Sequence, residues 1–123
     1  MIDVVAAIIK KNNKYFIAQR NRNKHLGLQW EFPGGKVNNQ EKFENALKRE
    51  ILEELSININ IKKKITSKKY KDKKVNVILH YFMCETFDDI IKLSEHENMK
   101  WVDKNDLVNF NLTLGDSKII KYL

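Results

Sequence analysis

Glu50, Glu53 and Glu54 are the residues of this chain whose type and spacing carry the clearest chemistry. They fall within Glu41–Leu55, a stretch free of glycine and proline that favours helix. On a helix, positions i, i+3 and i+4 share one face. At roughly 100° per residue, Phe43, Ala46, Leu47, Ile51 and Leu55 form an apolar arc. Glu50 and Glu54 lie inside that arc, and Glu53 lies at its edge. These carboxylates therefore point toward the protein. Clustered, partly buried anions are costly unless compensated, and like charges this close repel. A lysine or arginine beside each glutamate would compensate them. So would a hard divalent cation, which prefers oxygen ligands. Most Glu-x-x-Glu-Glu runs are solvated helix faces, but the placement inside the apolar arc argues against that here.

The elements that must position this helix are legible on both sides of it. Gly27, Pro33, Gly34 and Gly35 include three of the four glycines and the only proline, so one specially shaped loop precedes the helix. Ile2–Lys10 reads as a strand. It turns through Lys11–Lys14 into a second strand, Tyr15–Arg20, to make a hairpin. Asn21–Gln29 is loop-like, and Trp30-Glu31-Phe32 leads into the Pro-Gly-Gly turn. Asn39 is the better N-cap candidate for the helix, ahead of Gln40. Ile57–Ile61 alternates as a strand. Lys62–Lys74 holds eight lysines and reads as an exposed hairpin turning near Lys71-Asp72-Lys73. Val75–Thr86 is a long apolar strand and Asp88–Glu97 a loop. Lys100–Val102 is a short strand, Asp103–Phe110 a helix capped by Asp103, and Ser117–Leu123 a short helix after Gly115. The pattern predicts an α+β fold, a single domain over residues 1–123, with helices packed on a mixed sheet.

Composition bounds the function classes. Apolar residues are 42% and charged residues 32%, an ordinary globular balance. No apolar run approaches a membrane span, and the N-terminus lacks a basic leader, so no membrane partner and a cytoplasmic location are expected. Cys84 is the only cysteine, which excludes an internal disulfide and reads as a buried strand residue. The net charge of +7 suits polyanionic partners. Only Arg20, Arg22 and Arg49 are arginine, so the rigid guanidinium fork is reserved for few places.

The motif Gly35-x5-Glu41-x7-Arg49-Glu50-Ile51-Leu52-Glu53-Glu54-Leu55-Ser56-Ile57 resembles the signature box of the Nudix family. Every specified position matches except Ser56, where the family has glycine at the turn after the helix; serine adopts that turn at some conformational cost. Val4–Ile9, Ala18-Gln19-Arg20, Trp30–Lys36 and Glu95–Trp101 are similar to the MutT-type branch, so the resemblance covers nearly the whole chain. It implies the Nudix fold, a mixed β-sheet sandwiched between helices. It also implies hydrolysis of a nucleoside triphosphate to a monophosphate and pyrophosphate, with Mg²⁺ as cofactor and Mn²⁺ as a substitute.

Residue by residue, the resemblance makes Glu50, Glu53, Glu54 and the Gly35 carbonyl metal ligands. Glu95 is the distant acidic ligand, with Glu97 as the competing choice. Arg49 would orient Glu50, Glu41 would stand behind the ligands, and Lys36 would meet phosphate or a metal-bound water. The chemistry agrees with these residue types. Metals neutralise phosphate charge and acidify water, and a carboxylate accepts the proton. No cysteine or serine with a paired base is apparent, which fits direct attack by water.

For the nucleotide, the resemblance places Arg20 near phosphates or sugar and Asp116 at the base. Phe32, Leu79, Tyr81 and Leu114 are candidates to pack it, although strand aromatics are usually plain core. Ionised aspartate only accepts hydrogen bonds, which suits the amine of cytosine or the N1/N2 edge of guanine. The expected substrate is 8-oxo-dGTP, in a nucleotide-sanitising and DNA-repair role, with CTP or 5-methyl-dCTP as the alternative. A rival class is a non-catalytic binder of nucleotide or RNA that uses Lys62–Lys74. That tract lacks arginine and has no aromatic interleaving beyond Tyr70, and the metal glutamates are intact, so no nucleic-acid partner is expected. His25, His80 and His96 read as surface or core residues, with His25 near the nucleotide. A monomer is favoured.

Overall fold

A computed structural model describes residues 1–113 and 115–123. Leu114, expected against the base, lies outside the described residues. The order is β1 (Ile2–Lys11), β2 (Lys14–Gln19), β3 (Trp30–Glu31), β4 (Gly34–Lys36), α1 (Phe43–Leu55), β5 (Asn60–Lys71), β6 (Asn76–Glu85) and β7 (Asn98–Asp103). Two 3₁₀ helices, Lys104–Asn109 and Asp116–Tyr122, follow.

β1 is the organising strand of the mixed sheet. It runs parallel to β6, with Ile2 opposite Val77 and Ile9 opposite Cys84. It is antiparallel to β4 and, at its far end, to β2. β5 lies outside β6, and β7 and β3 pair with β2. Asn12 and Asn13 both take positive φ at the β1–β2 turn, the backbone that a tight two-residue hairpin demands. Both faces of β1 are covered, which is why it reads as continuously apolar. Val5, Ala7 and Ile9 meet Ala46, Leu47, Ile51 and Leu55 of α1 in one core. Ala6 and Ile8 meet Phe32, Leu79, Tyr81, Leu107 and Ile119 in the other. The sheet is thus sandwiched between α1 and the 3₁₀ helices.

Several expectations shift in detail. α1 starts at Phe43 rather than Glu41, and its N-cap, Lys42, makes no side-chain cap bond. Asn39 does not cap it. Gln40 takes a left-handed φ of 65°, and the Glu41 carboxylate accepts the Asn38 N–H instead. Ile57 and Ile59 are buried, but the strand begins only at Asn60. Their alternation reports packing beneath the helix rather than strand pairing. The lysine tract is mostly strand β5, and Asp72 shapes the following turn by accepting the Lys74 and Val75 N–H groups. Lysines along an edge strand discourage pairing with another chain. The two late helices are 3₁₀, and Asp103 occupies its N-cap without a side-chain bond.

The serine after the helix adopts the turn. Ser56 has φ 59° and ψ 32°, and its N–H donates to the Leu52 carbonyl. That left-handed conformation costs a residue with a Cβ on the order of 1 kcal/mol. Ser56→Gly should therefore raise stability by up to about 1 kcal/mol and the melting temperature by roughly 3–6 °C. Thermal unfolding checks this, and an unchanged or lowered midpoint would show that the serine is unstrained.

Candidate active site

The site begins with the clamp that sets the glutamate helix. Arg49 donates from Nε to Glu41 Oε2 at 2.9 Å and from Nη2 to Glu41 Oε1 at 3.0 Å, a two-pronged pairing. Its Nη1 donates to Glu50 Oε1 at 2.8 Å, and Nη2 also reaches the Lys36 carbonyl at 3.1 Å. One guanidinium thus ties the loop before α1, the end of β4 and the first metal-ligand candidate together. These carboxylates raise the Arg49 pKa, and the Arg49 hydrogen bond is the main reason Glu41 is lowered. Gly35 packs directly on Glu50: a Cβ at residue 35 would collide with that carboxylate.

The three glutamates divide as the helical wheel predicts. The side chains of Glu50 and Glu54 are 18% and 16% exposed, whereas Glu53 is 60% exposed. Glu53 lies 3.5 Å from Arg49, one turn along the helix. Glu54 is the most perturbed: burial, then repulsion from Glu31 and Glu50, pushes its carboxyl up to about 8. Its Oε1 is buried without a hydrogen-bond partner.

The segment after β6 closes over the helix end. Lys92 N–H donates to the Leu55 carbonyl and Ser94 N–H to the Glu54 carbonyl, satisfying two terminal helix acceptors. This carries Glu95 to the cleft wall beside Glu50, Glu53 and Glu54. Glu95 pairs with Lys24 at 2.5 Å. Glu97, the competing candidate, is engaged elsewhere: Arg22 grips it through Nε, Nη2 and its own backbone N–H. The Arg22 hydrogen bond lowers Glu97 to about 2. The geometry therefore favours Glu95. All three arginines grip carboxylates, since Arg20 Nη1 meets Glu31 Oε1 at 2.7 Å.

Glu31 and His96 were not singled out from the sequence, yet both stand in the cleft wall. Glu31 bridges Arg20 and His96, with its Oε2 2.8 Å from His96 Nε2. His96 Nδ1 lies 3.6 Å from Glu54 Oε2. For Glu31, an acidic residue between two aromatics, Trp30 and Phe32, was the available signal.

The other end of the cleft, which encloses about 630 Å³, is apolar, with Val4, Ala6, Phe32, Val77 and Leu79 in its lining. Asp116 sits there, almost fully buried. Its Oδ2 accepts the Phe32 N–H at 2.9 Å and its Oδ1 accepts the Tyr81 hydroxyl at 2.5 Å. Burial, opposed by those two bonds, pushes its carboxyl up to about 7. Phe32 and Leu79 line the cleft as expected. Tyr81 does not; it is wholly buried and acts as the donor behind Asp116. Lys36 and Arg20 also line the cleft. His25 lines it as well, with Nε2 held 2.7 Å from Asp72. Cys84 is buried in β6, and burial pushes its thiol up to about 12, which fits a packing residue.

The residues present fit a divalent cation. An unpartnered Glu54 oxygen and close-set carboxylates make a hard oxygen donor set without an internal cation for each charge. Glu50, Glu53, Glu54, Glu95 and the Gly35 carbonyl are the candidate holders.

The NUDIX domain family profile matches residues 1–123. The chain belongs to the Nudix family. It is 35% identical to the 8-oxo-dGTP diphosphatase of Buchnera aphidicola subsp. Schizaphis graminum (strain Sg), over 96% of this chain and 89% of that protein. It is 31% identical to the CTP pyrophosphohydrolase of Escherichia coli (strain K12), over 98% and 90%. Among solved structures, the E. coli ORF135 protein superposes with a TM-score of 0.84 at 30% identity, covering 99% of this chain and 87% of that one. These relatives make it a Nudix hydrolase of the MutT type. No helix among the described residues is long and apolar enough to cross a membrane.

The raised Glu54 value gives this Nudix site a pH signature. A carboxyl whose folded value lies above its ordinary 4.5 favours the folded state when protonated. That contribution is complete below about pH 4.5 and is lost as pH climbs through about 8. Glu54→Gln should therefore raise the melting temperature of metal-free protein by several degrees at pH 8.5 and leave it nearly unchanged at pH 4.5. Equal shifts at both pH values would show that Glu54 is not held protonated by its surroundings.

Proposed function

We propose that the protein is a divalent-cation-dependent nucleoside triphosphate pyrophosphohydrolase that yields a nucleoside monophosphate and pyrophosphate. The observation that carries this reading is a single cleft whose lining combines the carboxylates Glu50, Glu53, Glu54 and Glu95, the cations Lys36 and Arg20, and an apolar part beside Asp116. Such a cleft matches the three parts of a nucleotide: chelated phosphates, linking charge and planar base. Mg²⁺ suits the oxygen donors, Mn²⁺ is a substitute, and the cytoplasm supplies both the ion and the substrate.

When bound, the cation would neutralise phosphate charge and make water a better nucleophile. The chain's residues supply the rest. Arg49 and Glu41 hold Glu50 in place, Lys36 meets phosphate, and the carboxylate cluster accepts the proton of the attacking water. Attack at the β-phosphorus breaks the bond to the α-phosphate oxygen, releasing the monophosphate on one side and pyrophosphate on the other.

The leading substrate is 8-oxo-dGTP, consistent with the Buchnera relative; a nucleotide-sanitising role in DNA protection follows from it. CTP or 5-methyl-dCTP is the second reading, favoured by the E. coli relative and by an acceptor at Asp116. Asp116 spends one lone pair of each oxygen on Phe32 and Tyr81, which leaves acceptor capacity toward a base edge.

A nucleotide panel assayed for pyrophosphate release, containing 8-oxo-dGTP, dGTP, CTP and 5-methyl-dCTP with Mg²⁺, tests the function. Glu53→Gln and Glu54→Gln should each lower turnover at least a hundredfold while the fold survives. Near-normal turnover in both at saturating Mg²⁺ would refute the site.

The base contact is tested with Asp116→Asn rather than alanine. Alanine would strand two buried donors, at roughly 1–3 kcal/mol each. The asparagine variant should lose most activity on the preferred nucleotide and keep its low activity on poor ones, because a mismatched polar edge discriminates strongly. A uniform loss across the panel would assign Asp116 a purely structural role.

A further inference from the structure

His96 carries an unpartnered nitrogen in a place where an unpartnered polar atom is costly. Its side chain is only 5% exposed, and its Nδ1 is buried without a hydrogen-bond partner. The other ring nitrogen is committed. Nε2 lies 2.8 Å from Glu31 Oε2, and Glu31 is itself held by Arg20 at 2.7 Å. An ionised carboxylate only accepts hydrogen bonds, so Nε2 carries the proton. That leaves a lone pair on Nδ1, aimed at Glu54 Oε2 at 3.6 Å. The second Glu54 oxygen, Oε1, is buried and unpartnered as well. Nδ1 and the two Glu54 oxygens therefore converge with no hydrogen-bond donor from another described residue between them.

We infer that His96 Nδ1 is a direct nitrogen ligand to a divalent cation shared with Glu54. Glu31 is the carboxylate that fixes the ring. This inference rests on the metal-site reading of Glu54 and adds to it a ligand of a different chemical kind.

Three features support a cation over a shared proton. A proton between Nδ1 and Oε2 would leave Glu54 Oε1 still unpartnered. Glu31, Glu50 and Glu95 all add negative charge around Glu54, and Lys24 opposes them. A histidine whose far N–H is held by a carboxylate is also the usual arrangement at metal centres, where it fixes the tautomer and raises ligand basicity. The spacing agrees: neighbouring ligands around a tetrahedral ion with ~2.1 Å bonds stand roughly 3.4 Å apart. Glu31, Glu54 and His96 together place ligand atoms within 4.8 Å of one another.

A nitrogen donor changes which ion the site prefers. Imidazole suits borderline transition ions, whereas an all-oxygen set suits Mg²⁺. The site should thus take Mn²⁺ or Co²⁺ more tightly than carboxylates alone would.

The test uses the full-length protein with Mn²⁺ and no nucleotide. Pulsed electron paramagnetic resonance reads nitrogen bound directly to manganese. The wild-type protein should show one imidazole nitrogen coupling, which changes in character when histidine is labelled with ¹⁵N. The coupling should persist in His25→Gln, whose ring also lines the cleft, and vanish in His96→Gln. The preference for Mn²⁺ over Mg²⁺, measured by titration, should fall by about tenfold or more in His96→Gln. Tightly bound Mn²⁺ with no nitrogen coupling in the wild type would overturn the inference and leave the carboxylate site standing. Absence of any Mn²⁺ binding would overturn both. Because the wild-type spectrum decides, poor folding of a variant does not shield the inference.

Discussion

Two carboxylates, Glu50 and Glu54, stand on the helix face that also packs Ala46, Leu47, Ile51 and Leu55 into the core. Burying apolar area on that face stabilises the fold, while withdrawing the charges from water opposes it. The remaining architecture follows from reconciling these demands on one helix. Arg49 answers for Glu50 from the same helix, and Glu41 holds Arg49 from the loop before it. Glu54 pairs with no arginine or lysine among the described residues, and its nearest basic neighbour is His96 Nδ1 at 3.6 Å. Its environment drives it toward the protonated form when no cation is present. The proposed metal site is thus a place where the fold leaves negative charge for a bound cation to offset.

The same logic explains how the walls of the cleft are joined. The loop after β2 and the loop before β7 carry opposite charges, and they meet as Arg22 with Glu97 and Lys24 with Glu95. The two pairs are not equivalent. Arg22 grips Glu97 through several bonds, a fixed join. Lys24 meets the exposed Glu95 with a single ammonium contact, which screening weakens. In this basic chain with few arginines, the rigid fork makes the many-bonded join and lysine the single contact.

The base end shows a different solution to buried charge. Asp116 is deeper than Glu54 but is met by two donors, the Phe32 N–H and the Tyr81 hydroxyl. It links the strand end before Pro33, the centre of β6 and the last 3₁₀ helix, elements that come from distant parts of the chain. Any role in reading a base is layered on this structural one, and the two must be separated by a substitution that preserves shape.

The carboxylate helix, its apolar arc and the spacing from Gly35 to Ile57 were legible in the sequence, because helical periodicity and a linear motif need no tertiary information. The division into buried Glu50 and Glu54 and exposed Glu53 also followed from the 3.6-residue period. So did the β1–β2 hairpin, from Asn12 and Asn13, and the turn at Ser56. What the sequence could not convey is anything set by contacts between distant segments. The start of α1 moved to Phe43 because Glu41 is recruited by Arg49 and Asn38 rather than by helical bonding. Ile57 and Ile59 look like a strand but are only packed beneath the helix. The resemblance preferred Glu95 to Glu97 without excluding either, and their different partners, Lys24 and Arg22 in a loop far up the chain, come only from the fold. Glu31 and His96 lie 65 residues apart and carry no motif, yet β3 and the loop before β7 bring them within hydrogen-bonding distance. Local chemistry is written in residue type and period; the choice among chemically equal residues is made by the partners that the fold delivers.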